Sequence, residues 1–343
     1  MLEHLIEQPI FSFTPAVERD RRIRACPGAD VVGQSESGRG IVGIVVGQGE
    51  HLVSLIAGSH SDEPVGSETL MYLAEYLTGD AAQAAELRQA YRFVIVPHVN
   101  PDGETLNRAW IDEWPDPLAY LQHRVREPPG RDVEFAWPNR RPENVALARL
   151  LADHGPFDLH LSLHGMAMAT GGWHLIERHG VDRTAELRRQ YAAAMSDVGL
   201  ELFDWDRGGD KGFEYIEPGF ATTPRGAAMR EHFLAEGDTE TAALFGDSSM
   251  EYVRSLGGDP LCMVTELPLF VLRGGTIDDE PGKPHRYFAF KERLDQAGDA
   301  IVGDDIDRLA DLMGDYALEA MPIDRAVRLQ LRAIALGLEA ICP

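Results

Sequence analysis

The stretch that decides the fold is LVSLIAGSHSDE at residues 52–63. Residues 52–57 form a short apolar run with β-branched members, which predicts a buried strand. A glycine follows, and then a histidine and a glutamate appear three residues apart, at His60 and Glu63. In open α/β sheets, sites form beyond the carboxyl ends of strands, and imidazole and carboxylate are zinc donors. A histidine and a glutamate three residues apart are common by chance. The pair therefore indicates a metal site only if other predicted strands also end in metal-binding or acidic residues.

Similar apolar runs recur along the chain, with helical patterns between them. The predicted strands are Ile41–Val46, Leu52–Ala57, Phe93–Pro97, Phe157–Leu163 and Leu261–Glu266. The predicted helices are Ser67–Thr78, Pro142–His154 and Arg183–Leu200, followed by a helical C-terminal segment from about residue 287. Strands that alternate with helices predict an α/β fold with a mostly parallel sheet and helices on both faces. We see no linker, so residues 1–343 are predicted to form a single domain.

The composition narrows the classes of partner. Of 343 residues, 44% are hydrophobic and 26% are charged, as in ordinary globular proteins. The formal net charge of −24 repels nucleic acid and anionic lipid, so neither is expected as a partner. The N-terminal segment has no basic region before an apolar run, which predicts a cytoplasmic protein. The three cysteines form no CxxC pair, so histidine and carboxylate must hold any metal.

A second candidate is LHLSLHG at residues 159–165. Strand alternation places His160, Ser162 and His164 on one face and the leucines on the other. His164 comes last, where the strand is predicted to end, so we favour it as the third metal ligand. His160 is the alternative ligand, a group that orients a ligand, or a core histidine.

A third candidate is VTELP at residues 264–268, where Glu266 closes another predicted strand. A carboxylate after a buried run is either a catalytic group or half of an ion pair. The pair His60 and Glu63 follows one predicted strand, and His164 and Glu266 each lie at the end of another. This recurrence of metal-binding and acidic residues at strand ends indicates a hydrolytic metal site. HExxH, a P-loop and GxSxG do not occur in the sequence. The glycines at 47 and 49 lack the third glycine of a dinucleotide-binding loop and lead into a predicted strand.

These segments together resemble the zinc carboxypeptidase family, of the carboxypeptidase A type. The resemblance runs from about residue 30 to residue 270. It rests on five ordered segments: GQSESGRGI at 33–41, HSDE at 60–63, NPDG at 100–103, LHG at 163–165 and TEL at 265–267. The resemblance implies a mixed central sheet flanked by helices.

The resemblance also implies a mechanism. One zinc ion per chain is held by His60, Glu63 and His164, and Glu266 is the general base that takes a proton from a zinc-activated water. An arginine stabilises the oxyanion, and Arg108, shortly after NPDG, occupies the corresponding region. The activity expected is therefore that of a zinc metallopeptidase that hydrolyses the amide bond of a peptide or amino-acid conjugate.

One segment departs from the family pattern. The family binds the terminal carboxylate of its substrate with an Asn-Arg pair, but Glu134 and Phe135 stand at those positions here. Carboxylate and phenyl groups cannot clamp another carboxylate. Three possibilities follow for substrate binding: Glu134 faces a cationic substrate group, Asn139 and Arg140 serve through a shifted register, or Tyr215 replaces the family's mobile tyrosine.

Two alternatives to a peptidase stay open. One is a zinc amidohydrolase or deacylase of the succinylglutamate desuccinylase and aspartoacylase type, which acts on N-acyl amino acids. The other is a zinc-binding module without turnover. The expected partner is thus a small peptide or an acylated amino acid. His98 and His174 are spare histidines that a second metal would need, and the sequence does not predict the oligomeric state.

Overall fold

The computed structural model describes residues 2–298, 310–311 and 314–342. Its strands form one sheet with the path β1-β2-β4-β3-β5-β10-β6-β9-β8, with β7 beside β6 and β11 beside β10. The strands are β1 Ala29–Gln34, β2 Gly40–Gly47, β3 His51–Ala57, β4 Tyr91–Val96, β5 Leu159–Ala169, β6 Gly171–Ile176, β7 Glu201–Leu202, β8 Tyr215–Glu217, β9 Phe220–Thr222, β10 Leu261–Leu272 and β11 Leu318–Ala320.

Helices connect these strands. They are α1 Ala16–Ala25, α2 Pro64–Thr78, α3 Ala82–Ala90, α4 Pro101–Ile111, α5 Pro117–His123, α6 Pro142–His154, α7 Ala185–Asp197, α8 Gly226–Ala235, α9 Thr239–Ala242, α10 Ser249–Ser255, α11 His285–Gln296 and α12 Ile323–Ile341. Short 3-10 turns lie at Glu3–Leu5, Arg178–Arg183 and Asp210–Gly212.

The centre of the sheet is parallel and its margins are mixed. Strands β4, β3, β5 and β10 run parallel to one another. Strands β1 and β2 are antiparallel to their neighbours at one margin, and β6 is antiparallel to β10 on the other side. The predicted fold class, a mixed and mostly parallel sheet with helices on both faces, is confirmed.

Two apolar clusters cover the two faces of the sheet. The leucines of β5, Leu159, Leu161 and Leu163, pack in the cluster that also contains residues of α2, α7 and α12. The opposite cluster contains residues of α6 and α10. The alternation predicted for residues 159–164 is therefore present, with the histidines on the face opposite the leucines. His160 is buried there and its Nδ1 lies 3.0 Å from Ser54 Oγ.

Two strands are longer than predicted. His164 was expected to end its strand, but β5 continues to Ala169, and β10 continues past Glu266 to Leu272. The predicted strands ended where the apolar runs end, at Leu163 and Glu266. Beyond Glu266 the pairing of β10 with β6 ends while its pairing with β5 continues, so a proline without an N–H is tolerated.

The C-terminal part combines helices with one short strand. Helices α11 and α12 lie in the predicted helical segment, and β11 pairs with β10 between them. Residues 299–309, 312–313 and 343 of that segment lie outside the described residues. Among the described helices, none combines the length and the apolar character that a membrane span requires. The cytoplasmic location stays a prediction.

Candidate metal centre

The turn after β3 carries the first two predicted ligands. Gly58 adopts a positive φ of 78° directly after the strand, and the ring of His98 packs against it. His60 follows in this turn, and Glu63 caps the start of α2, where Pro64 is the first helical residue. The strand, the glycine turn and the helix start therefore bring His60 and Glu63 to the carboxyl edge of the sheet.

His164 completes the group from the neighbouring strand β5. Its Nδ1 lies 3.0 Å from His60 Nδ1 and 3.0 Å from Glu63 Oε2, and His60 Nδ1 lies 3.0 Å from Glu63 Oε1. Within the described residues, these three side chains are the group whose ligand atoms all lie within 4.8 Å of one another. The sequence predicted all three as ligands, and the structure brings them together.

The chemistry of this group fits zinc. Two imidazole nitrogens and one carboxylate are a donor set of catalytic zinc sites, which leave one coordination position for water or substrate. Three polar atoms about 3 Å apart match the spacing of ligands around one small ion with bonds of about 2.0–2.2 Å. Burial opposes the ionisation of Glu63, but the charges of His60 and Arg126 hold the pKa of this carboxyl well below its ordinary value. Glu63 is thus an anion and ready to bind a cation.

Glu266 lies beside this group without belonging to it. It is the register partner of His164, because β5 and β10 pair in parallel. Burial and the negative charge of Glu63 raise the pKa of Glu266 well above its ordinary value, while His164 and Arg126 act in the opposite direction. A carboxyl group with a raised pKa, next to a metal-binding group and in a cavity, is a candidate general base.

A cavity of about 280 Å³ opens beside Glu63 and Glu266. Its apolar side consists of aromatic and methionine side chains together with the backbone that follows His164. These lining residues are Gly165, Met166, Ala167, Met168, Trp173, Phe203, Trp205 and Tyr287. Arg207 stacks on the ring of Trp205 from behind, with its guanidinium carbon 4.5 Å from the ring centroid. The cavity therefore combines the carboxylate of Glu266 with an apolar wall.

Two arginines that also line the cavity were not predicted. Arg126 donates through Nη1 to Asp62 Oδ1 at 2.7 Å and to Glu63 Oε1 at 2.6 Å. Arg124 also lines the cavity, and no carboxylate of the described residues lies within ion-pair distance of it. Both belong to the irregular segment between α5 and α6, whose path sequence periodicity does not define. The arginines thus supply positive charge beside Glu266.

Other predicted residues lie away from this cavity. Arg108 forms ion pairs along its own helix, with Glu104 one turn before it and with Asp112 one turn after it. Arg140 lies beside Arg131 and Arg141 in a second cavity of about 470 Å³, and Asn139 is exposed. The hydroxyl of Tyr215 donates to Asp204 Oδ1 at 2.8 Å. The described residues that line the cavity beside Glu266 do not include any of these four.

The segment 130–135 lies behind the two histidines instead. Asp132 Oδ2 is 4.0 Å from His60 Nε2, and Glu134 Oε2 is 3.2 Å from His164 Nε2. Glu134 is buried, and the described residues that line the cavity do not include it. Phe135 packs against Phe245 with ring centroids 5.5 Å apart. The two positions that depart from the family pattern therefore face protein groups.

The spare histidines do not form a second metal group in the described part of the chain. His98 Nδ1 lies 2.9 Å from Ser67 Oγ and its Nε2 lies 3.2 Å from Glu104 Oε2. His174 is fully buried in β6 against Tyr191 and Phe220. Both are packed against neighbouring elements.

Two of the segments that carry the family resemblance, residues 33–41 and 100–103, contact each other. Asp102 of the NPDG segment accepts hydrogen bonds from Ser35 Oγ at 2.8 Å and from Arg39 Nη1 at 2.7 Å. Asn100 caps α4 by accepting from the backbone N–H of Gly103 at 3.0 Å. The turn after β1 and the start of α4 are thereby fixed to each other.

Comparisons with known proteins agree with this fold and site. The fold and the His-Glu-His group with a neighbouring glutamate are those that the resemblance to the zinc carboxypeptidases implies. The sequence model of the zinc carboxypeptidase family matches residues 27–124, which include His60 and Glu63. The resemblance to this family is therefore confirmed over residues 27–124.

The similar proteins are mostly much longer or much more distant. Carboxypeptidase D of Rattus norvegicus is 31% identical over 119 residues, which are 34% of this chain and 8% of that protein. Carboxypeptidase M of Mus musculus is 28% identical over 155 residues, which are 40% of this chain and 33% of that protein. The chain thus matches less than a tenth of the first and about a third of the second. The crystal structure of carboxypeptidase A from Helicoverpa armigera superposes with a TM-score of 0.51 at 14% identity, over 95% of this chain and 71% of that one, which shows a shared fold.

Proposed function

We propose that the protein is a zinc-dependent hydrolase that cleaves an amide bond in a peptide or in an acylated amino acid. The observation that carries this proposal is the position of Glu266, which is the register partner of the ligand His164 and lines the same cavity as Glu63. A metal-binding group and a free carboxylate at one cavity are the parts that metal-assisted amide hydrolysis requires.

The residues of this chain have separable roles in such a reaction. Zinc, when bound by His60, Glu63 and His164, supplies a Lewis acid that polarises a carbonyl and makes a neighbouring water more acidic. The carboxylate of Glu266 accepts the proton of the attacking water and returns it to the leaving nitrogen. Burial and the charge of Glu63 raise the pKa of Glu266 above its ordinary value, which makes this carboxylate a stronger proton acceptor.

The cavity supports a specificity that departs from the family pattern. The clamp that the resemblance implies is missing at Glu134 and Phe135, and both of these side chains contact protein groups. Arg124 and Arg126 line the cavity from another segment. We propose that they provide the cationic contacts for the substrate, while the aromatic wall around Trp205 and Tyr287 receives an apolar substituent.

The test is hydrolysis by the zinc-loaded protein and by Glu266→Gln, assayed with a panel of short peptides and N-acyl amino acids. Loss of the general base is expected to lower kcat by about 10²–10⁴-fold with zinc content unchanged. Glu186→Gln, on the exposed face of α7, is the matched control and should keep full activity. Cleavage of N-acyl amino acids without cleavage of peptides would identify a deacylase. Equal activity, or equal inactivity, of the wild type and Glu266→Gln would contradict the proposal.

A further inference from the structure

Glu134 is a buried carboxylate with an unmet hydrogen-bonding requirement. It is 8% exposed, and its Oε1 lies 3.5 Å from Ser249 Oγ. Its Oε2 is buried and has no hydrogen-bond partner among the described residues. Within those residues, no arginine or lysine forms an ion pair with it, and its charged neighbour is His164. A buried carboxylate is stable only when a donor or a cation faces it, so the partner of Oε2 matters.

The ring of His164 offers that partner. Its Nδ1 faces His60 and Glu63, and its Nε2 lies 3.2 Å from Glu134 Oε2 and 2.8 Å from Ser162 Oγ. A histidine that binds a metal through Nδ1 must carry its proton on Nε2, where it becomes a donor. An acceptor on that side fixes the tautomer and the orientation of the ring.

We propose that Glu134 is a positioning residue for the metal centre, whose carboxylate accepts the Nε2 proton of His164 and holds Nδ1 toward the metal. This inference rests on the zinc site of the proposed function. Glu134 then contacts His164 on the side of the ring that faces away from the metal. This role replaces the contact with a cationic substrate group that the sequence predicted. It also explains why a glutamate is compatible with this position: Glu134, like Asp132, lies beside a metal-binding histidine and does not line the cavity.

Ser162 is the competing partner of the same nitrogen. Its hydroxyl both donates and accepts, so it is able to satisfy Nε2 without Glu134. The two partners differ in charge, because a carboxylate accepts only and raises the basicity of the ligand that donates to it. Separate substitution of Glu134 and Ser162 therefore shows which of the two fixes the ring of His164.

The experiment measures zinc affinity by competition with a chromogenic chelator for the wild type, Glu134→Gln, Glu134→Leu and Ser162→Ala. Outer partners of metal-binding histidines contribute about 10–100-fold to metal affinity. We expect Glu134→Leu to lose affinity by about that factor, Glu134→Gln to lose less because its amide oxygen still accepts, and Ser162→Ala to lose the least. The absorption spectrum of the cobalt-substituted protein should shift in the same order.

Controls separate this role from general destabilisation. Glu177→Gln removes another buried carboxylate, one that contacts His179 and Arg254 away from the metal ligands, and should bind zinc like the wild type. Thermal unfolding after chelation shows whether each variant folds. If Glu134→Leu does not fold, the zinc affinity of Glu134→Gln is compared with that of Glu177→Gln, and a lower affinity of Glu134→Gln alone supports the inference. Unchanged zinc affinity in folded Glu134 variants, or a wild type that binds no zinc, would overturn the inference. A wild type whose zinc affinity depends on Glu134 but that hydrolyses no amide would overturn the proposed function alone.

Discussion

His164 and Glu266 are register partners on the parallel strands β5 and β10, and their side chains project from the same face of the sheet. A metal ligand and the carboxylate beside it are thus spaced by backbone hydrogen bonds in the interior of the sheet. Strand interiors hold side chains more rigidly than loops do, which is what a catalytic pair requires. The relationship explains why the site stays defined although the segment 124–140 beside it is irregular.

The first prediction concerns the identity of the third ligand. His164→Ala should abolish stoichiometric zinc binding, because His164 Nδ1 lies 3.0 Å from both other ligands. His160→Ala should keep the zinc, since the ring of His160 contacts Ser54 Oγ inside the sheet. It should instead lower the free energy of unfolding by about 1–3 kcal/mol, because a buried hydroxyl loses its partner.

Metal analysis by mass spectrometry and chemical denaturation measure the two effects. Zinc loss in His160→Ala with retention in His164→Ala would move the third ligand by four residues and contradict the geometry of the site.

The second prediction concerns Arg124 as a contact for an anionic substrate group. Arg124→Ala should raise KM by roughly 10–150-fold for a substrate with a free carboxylate, because a hydrogen bond to a charged group contributes about 1.5–3 kcal/mol. The amidated form of the same substrate should be unaffected. Arg183→Ala, whose guanidinium pairs with Asp259 on the surface, is the control. Steady-state kinetics with both substrate forms measure the effect, and an equal change in KM for the acid and the amide would rule out the contact.

The ligands of the metal centre were predictable from the sequence because each belongs to a short segment with regular geometry. His60 and Glu63 follow a strand and precede a helix, and His164 lies on a strand whose alternation fixes its face. Glu266 was predictable for the same reason. The predicted ends of these two strands were wrong: β5 and β10 continue past Leu163 and Glu266, because pairing between the two strands continues beyond them.

The groups around the ligands were not predictable in the same way. Arg124, Arg126 and Glu134 lie between α5 and α6, where the chain has no period that would indicate which side chains face the metal centre. The aromatic wall combines residues from β6, from the segment after β7 and from α11, which are far apart in sequence. Only the folded sheet brings these segments together.

The third prediction concerns Gly58, which connects β3 to the turn that carries His60. A Cβ atom at this position would lie 2.2 Å from His98 Nδ1, and φ is 78°. Gly38 is a matched control, since its φ is 80° and a Cβ there would meet no atom within 4 Å. Gly38→Ala should lower the free energy of unfolding by about 1–2 kcal/mol through backbone strain alone. Gly58→Ala should cost more and should also weaken zinc binding, because relief of the clash displaces the turn that carries His60.

Denaturation curves and chelator competition for the two alanine variants check this prediction. Equal stability of the two variants, with equal zinc affinity, would show that His98 moves aside without disturbing the ligand turn.

The last prediction concerns the buried histidine of β6 and the acid sensitivity of the fold. Burial lowers the pKa of His174 from its ordinary value of 6.5 to about 3, and neither ring nitrogen has a hydrogen-bond partner among the described residues. Between pH 6.5 and about 3 the unfolded chain therefore binds a proton that the folded chain does not. His174 should thus make the free energy of unfolding fall with decreasing pH, by up to about 1.4 kcal/mol per pH unit. His174→Leu, which keeps the site apolar, should unfold less readily than the wild type at pH 4, with a smaller difference at pH 7. Urea denaturation of both proteins across this range measures the slope, and parallel curves would mean that another group controls the loss of stability in acid.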